Sequence, residues 1–327
     1  MPKLIPTRLI GAALLGLLLL PGLLACGGGT PTPSAAGSDA LEGTIRVSGA
    51  WALYPMMVKW AEEFQKVHPH VRVEVSAGGA GKGAADALAG LVEIGMISRS
   101  IKQEEIDQGG VFVPVVKDAV FPAVSTANPA LQALLERGLP RSAFVALWME
   151  GRAMTWGELT GTAAADPVNV YTRSDSCGAA DTWAKYLGGA QEDLQGIAVY
   201  GDPGLAEAVN QDPLGIGYNN LNYAYDSKTG LPVAGLAVIP IDVNENGRVD
   251  PAEKLDTKAQ ALEAVLAGVY PSPPARDLYL LTKDRFQGLA LEFVRWILTD
   301  GQQYVDETGY ILLQEDQVQE ALENLGD

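Results

Sequence analysis

The chain has 327 residues, 47% of them apolar and 19% charged, a balance that fits a globular protein and excludes a disordered one. Its formal charge of −17 argues against nucleic acid as a partner, because a polyanion is gripped by clustered cations. Two cysteines and two histidines leave little material for a disulfide framework, a His-rich metal site or a Ser-His-Asp triad.

Lys3 and Arg8 precede and open an apolar run that reaches Leu24, broken only by Gly and Pro. The run is short for a span of about 20 residues, and it has the charge pattern of a secretory signal. Leu23-Leu24-Ala25-Cys26 resembles the bacterial lipobox. That resemblance implies cleavage before Cys26, lipid on its sulfur and export, with the lipid as the only tie to the outer face of the cytoplasmic membrane. Residues 26–40 are Gly, Thr, Pro, Ser and Ala almost throughout, and read as a flexible tether after a leader of residues 1–25. The remainder of the chain, roughly 285 residues, is long for one ordinary core and predicts two lobes.

From residue 43 the pattern alternates strand and helix. Thr44 to Ser48 reads as a strand. Met57, Trp60, Ala61 and Phe64 share one helical face, and His68-Pro69 ends that helix. Val71 to Val75 alternates as a strand does. Gly78 to Gly83 is a glycine loop before a helix with Ala85, Leu88, Ala89 and Val92, and Ile94 to Ile97 is a further strand. Strand, glycine turn and helix in series predict a parallel sheet with covering helices, with ligands beyond the carboxyl ends of the strands. Ala119 to Thr126 reads as a strand crossing into a second lobe. Leu139 to Trp148 and Thr155 to Leu159 read as helices, Val168 to Tyr171 as a strand, and Ser176-Cys177-Gly178 as the start of another helix. Gly215 to Tyr218 leads a return segment. A strand at Leu236 to Ile241 and a helix carrying Leu291, Val294, Ile297 and Leu298 complete the pattern.

Several stretches, in order, are similar to one family. They are Pro55 with Trp60-Ala61-Glu62-Glu63-Phe64 and His68-Pro69, the glycine loop, Ser98-Arg99-Ser100-Ile101 and Asn128-Pro129. Leu147 to Arg152, Trp156-Gly157-Glu158-Leu159, Arg173-Ser174-Asp175-Ser176-Cys177-Gly178, Gly215 to Tyr218, Tyr270-Pro271 and Asp300-Gly301-Gln302-Gln303 continue it. Together they resemble the periplasmic phosphate-binding proteins of ABC importers. The resemblance implies an α/β, type II periplasmic-binding-protein fold: two α/β lobes joined by two crossover strands, with the ligand cleft between them. Lobe 1 is expected at residues 41–124 plus 226–327 and lobe 2 at 125–225. It further implies a monomer without enzymatic activity that passes phosphate or a related small oxyanion to an ABC permease.

The chemistry of such a site rests on helix starts, whose free N–H groups and dipoles favour anions. Three starts are available: Ala50-Trp51-Ala52, Gly79-Ala80-Gly81-Lys82, and Cys177-Gly178-Ala179, with Ser98 and Arg99 after a strand. Arg173 has the fork to grip an oxyanion, and Asp175, as an acceptor only, would favour a ligand that keeps a proton. The hydroxyl residues of the family pattern are replaced here by Ala50, Trp51, Ala52, Ala80, Cys177 and Ala179. Lys82, Trp51 and Arg99 are the candidate replacements, against the plainer readings of a solvated lysine, a core tryptophan and an arginine paired with an acid. Arg173 and Asp175 also suit a structural salt bridge. The same residues fit a phosphonate, a phosphate ester or a carboxylate, and a lipoprotein with a signalling or adhesion role is the alternative function. Cys177 at a helix start has a lowered thiol pKa in principle, but neither histidine is near it in sequence, so it reads as a cleft-lining residue.

A second motif stands apart. Residues 242–253 match the calcium-loop pattern D-x-[DN]-x-[DN]-G-x5-E in full. Asp242, Asn244, Asn246 and Glu253 would supply side-chain oxygens, Asp250 a direct or water-mediated contact, Arg248 its carbonyl, and Gly247 the sharp turn for a structural Ca²⁺.

Overall fold

A computed structural model describes residues 41–271 and 273–326; the stretches expected as leader and tether, with Cys26, lie outside them. In β1 (Gly43–Gly49) Ile45 and Val47 turn inward while Thr44 and Arg46 stay exposed, the period-2 pattern of a strand with one face on a core. Pro55 opens α1 (Tyr54–Val67), which buries Met57, Trp60, Ala61 and Phe64 along one stripe. β2 (Val71–Ala77) pairs in parallel with β1. α2 (Ala80–Leu88) then lies unusually close to the sheet. A Cβ on Gly83 would come within 2.6 Å of the Met96 carbonyl oxygen and 2.8 Å of the Gly49 Cα, so only glycine permits this approach. β3 (Ile94–Ile97) completes a parallel trio around β1, and α3 (Gln103–Asp107) comes next.

β4 (Gly110–Ser125) serves both lobes. Its first half pairs with β9 (Ala275–Lys283), which also borders β3. Its second half pairs with β7 (Gly215–Asn220) and with β8 (Leu236–Val238). In the second lobe α4 (Leu131–Arg137), α5 (Arg141–Trp148) and α6 (Trp156–Thr160) precede β5 (Asn169–Arg173). Then come α7 (Gly178–Leu187), β6 (Ile197–Val199), α8 (Gly201–Gln211), β7, α9 (Leu221–Ala224), β8 and α10 (Lys258–Leu266), and β5 runs parallel to both β6 and β7. After β9, α11 (Gly288–Leu298) and α12 (Glu315–Gly326) pack back on the first lobe.

Two cores result. One gathers Ile45, Trp60, Phe64, Leu280 and Phe293. The other is aromatic, with Trp148 and Trp183 each packed against both Phe144 and Tyr218. They divide between Val116 and Ala119 on β4, and between Tyr270 and Leu278 on the return. The structure departs from the sequence-based expectation in two respects. The crossing strand is expected to begin at Ala119, whereas β4 starts at Gly110. The chain is expected back in the first lobe at residue 226, whereas Leu236, Leu255, Ala261 and Tyr270 are buried on the second-lobe side, because β8 pairs with the second-lobe half of β4. Each sheet is mixed rather than parallel throughout, since the long β4 and its partner β9 run against their neighbours.

Candidate functional site

Parallel strands deliver their helices to one edge, and the two lobes set those edges face to face. From the first lobe come the short turn Trp51–Leu53 after β1, the start of α2, and Ser98 after β3. From the second lobe comes the start of α7. The lobes touch here: the Gly81 N–H donates to the Ser176 carbonyl at 3.2 Å. A Cβ on Gly178 would fall 1.8 Å from the Ser98 carbonyl oxygen. The first-turn N–H groups of α2 and α7 have no acceptor within their own helices. Neither helix has a side-chain oxygen cap. Gly79 offers none, and Cys177 accepts only a weak bond at its Sγ from the Ala180 N–H at 3.5 Å. Ala80, Gly178 and Ala179 therefore bring donors to a buried line between the lobes.

Other backbone groups named from sequence hold the loops themselves. The Ala50 N–H donates to the Met96 carbonyl and the Gly79 N–H to the Gly49 carbonyl. Ala52 is fixed through its carbonyl, which accepts from the Tyr310 hydroxyl at 2.6 Å. Trp51 walls the cleft against Tyr200, ring centroids 6.2 Å apart, and its carbonyl accepts from Tyr223 in the second lobe. Its Nε1 is buried without a partner.

The floor of the cleft is a charged network. The Arg173 side chain is fully covered, and its Nε and Nη2 donate to the two oxygens of Asp175 at 2.8 and 2.6 Å. Its Nη1 faces Asp202 Oδ2 at 2.8 Å, an ion pair that misses hydrogen-bond geometry. Burial works against the guanidinium charge, but Asp202 and Asp175 outweigh it and hold the pKa above its ordinary value. Asp202 accepts from Asn220, and Asn220 in turn accepts from Arg276. Arg276 also donates to the Ser98 carbonyl at 2.8 Å and lies 3.6 Å from Asp118. The chain of contacts from Arg173 through Asp202, Asn220 and Arg276 thus ends beside the start of α7.

Three of the side chains named from sequence have protein partners in this structure. Asp175 is gripped by Arg173 and by the Gly201 N–H. Lys82 pairs with Asp86 one turn along its own helix and is half exposed. Arg99 forms a two-pronged pair with Glu105, at 3.0 and 2.6 Å. Both cations answer a carboxylate of their own lobe. Burial also reverses the expectation for Cys177, pushing its thiol up to about 12.

Asp118, Asp202, Asn220 and Arg276 are functional candidates that sequence reasoning misses. Asp118 carries one usable signal, a carboxylate inside a mostly apolar strand. It is fully buried, and burial raises its pKa to about 6 despite the nearby Arg276. The folded state therefore holds this proton more tightly than the unfolded chain, where an aspartate titrates near about 3.9. The resulting stability is present below about pH 4 and is lost as pH rises through about 6, a change of about 2–3 kcal/mol. Urea denaturation between pH 4 and 7 should show that decline in the parent protein relative to an Asp118 variant measured alongside it. Asp118→Asn, which can still accept from the Leu221 N–H through Oδ1, should lack it.

The calcium-loop motif, residues 242–253, closes into a compact loop. Asp242 accepts from the N–H groups of Asn246 and Gly247, and Glu253 accepts from those of Val243 and Asp250. Asp242 and Glu253 are buried, and Gly247 has φ +76°, a turn that favours glycine. Among the described residues no three His, Cys, Asp or Glu side chains form a metal cluster, so a cation here would need Asn244, Asn246 and the Arg248 carbonyl as well.

Two α/β lobes that aim helix N-termini at a shared cleft define a two-lobed binding protein. Residues 34–301 match the family model described as the PBP superfamily domain, and the chain belongs to that family. It is 26% identical over 284 residues to the phosphate-binding protein PstS of Bacillus subtilis, covering 85% of this chain and 83% of that one. It is 26% identical over 376 residues to PstS of Methanocaldococcus jannaschii, covering 93% and 92%. Among solved structures, a phosphate ABC transporter substrate-binding protein from Clostridium perfringens, with phosphate bound, superposes with TM-score 0.68 at 23% identity, over 83% of this chain and all of that one. An ABC-type phosphate transport receptor from Vibrio cholerae gives 0.58 at 18% identity, over 82% and 100%. The fold is the type II periplasmic-binding-protein fold.

Proposed function

We propose that this chain is an exported receptor that closes its lobes on phosphate or a closely related small oxyanion and delivers it to an ABC permease. The observation that carries this reading is the meeting of the α2 and α7 N-termini across the lobe boundary, where uncapped N–H groups and two helix dipoles face the same buried line. The relatives named phosphate-binding proteins match this chain over most of its length and of their own. The floor holds two arginines and three aspartates, so its net charge repels an anion, and backbone donors must supply the attraction. Burial disfavours the Cys177 thiolate, which favours binding over catalysis. Calorimetric titration of ligand-stripped protein tests the reading. Phosphate should bind with measurable heat; a folded protein that takes up neither phosphate nor another small oxyanion would refute it.

We further propose that Cys26 carries lipid that ties a monomeric receptor to the outer face of the membrane. No helix among the described residues is long and apolar enough to cross one. Metabolic labelling with a fatty acid should be lost in Cys26→Ala.

We also propose that the 242–253 loop holds a structural Ca²⁺. Asp242, Asn244, Asn246, the Arg248 carbonyl, Asp250 and Glu253 would hold it, and the cation would neutralise carboxylates that close the loop. Saturating Ca²⁺ at about 100 times its Kd would add about 2.7 kcal/mol of stability. The melting temperature should therefore fall when EDTA is added, and Glu253→Gln should melt at the same temperature with or without EDTA.

A further inference from the structure

We propose that Arg276 is a second side-chain cation of the cleft and donates through Nη1 to the bound oxyanion. This rests on the oxyanion reading above and names a residue that neither the motif nor the missing hydroxyls would single out.

The other side-chain cations are already engaged. Arg173 gives Nε and Nη2 to Asp175 and turns Nη1 to Asp202. Lys82 and Arg99 answer Asp86 and Glu105. Arg276 differs. Its side chain is only 10% exposed, and it is held on two edges, by Nε to the Ser98 carbonyl and by Nη2 to Asn220. Those anchors come from opposite lobes, so the guanidinium spans the boundary the ligand must occupy. Its third edge, Nη1, is sealed from solvent and has no partner. Leaving such a donor unsatisfied is costly, and more so on a charged group.

The position fits a ligand contact. The Ser98 carbonyl that accepts from Arg276 also lies against Gly178, where a Cβ would be 1.8 Å away. Arg276 is thus separated from the start of α7 by a single backbone group. Its nearest carboxylate, Asp118, stands 3.6 Å off, beyond hydrogen-bond reach, and Asp118 Oδ2 accepts no hydrogen bond. A guanidinium with one loose counter-ion and one free donor is able to take an anion. It would replace part of what the absent hydroxyl groups would give.

The test is calorimetric titration of phosphate into the parent protein, Arg276→Gln and Arg276→Lys, with ¹⁵N spectra of the arginine side chains. One lost charge-assisted hydrogen bond corresponds to about 10- to 100-fold in affinity. Arg276→Gln should weaken phosphate by that factor. Arg276→Lys should fall between, because one ammonium cannot reach Ser98, Asn220 and the ligand together. In the parent protein, phosphate should shift the Arg276 Nη resonance, which a purely structural arginine would not show. If Arg276→Gln does not fold, the lysine variant and the spectrum decide. Parent-like affinity in a folded variant, or an unmoved resonance on binding, would overturn the role of Arg276 and leave the cleft reading intact. Failure of the parent protein to bind phosphate or any other oxyanion would overturn both.

Discussion

Gly178→Ala should reduce phosphate affinity by about 100-fold or more. The new Cβ would lie 1.8 Å from the Ser98 carbonyl oxygen and 2.2 Å from its hydroxyl. The carbonyl is backbone tied to the end of β3, so it has little freedom to retreat. Within its own lobe the substitution is mild. Gly178 opens α7, and alanine is a better helix former than glycine by about 1 kcal/mol. The clash therefore acts across the lobe boundary rather than within the helix. Small-angle scattering should show compaction on adding phosphate to the parent protein and none in the variant.

Arg173→Met should destabilise the protein by about 3–5 kcal/mol, because it leaves two buried carboxylates without their cation. Asp175 is nearly covered and Asp202 is 1% exposed, so water cannot take the place of the guanidinium. For a chain of this size the melting temperature should fall by about 10 °C. Adding Asp175→Asn and Asp202→Asn should restore much of that loss, since no charge is then left buried. A single variant that melts within about 2 °C of the parent would show that the network contributes little. Binding should also fail, because Arg173 fixes Asp202, and Asp202 fixes Asn220 and through it Arg276.

Much of the frame is legible in the sequence, for local reasons. The stripe of Met57, Trp60, Ala61 and Phe64 and the alternation in Val71 to Val75 are consequences of helix and strand periods, and both stand in the structure. β4 is only half visible. Its inward and outward faces are both largely covered, so the alternation fades, and Pro114 and Lys117 interrupt the apolar run. α8 begins Gly-Asp-Pro-Gly, a turn-like composition that hides a helix start. The helix starts of the site are legible because glycine and position after a strand mark them. The charged floor is not. Arg276 meets Asn220 across 56 residues and Ser98 across 178, and only tertiary structure joins them. For Lys82 the local partner is in view: Asp86, four residues on, is the neighbour a helix provides.

In the proposed receptor a small oxyanion lies between the starts of α2 and α7, held chiefly by backbone N–H groups. The most direct measurement is a crystal structure with arsenate, whose arsenic can be located by its anomalous scattering. The expected result is one strong peak between Ala80 and Gly178, beside Ser98 and Arg276. Crystals grown in saturating arsenate with the lobes closed and no peak at that position would contradict the account.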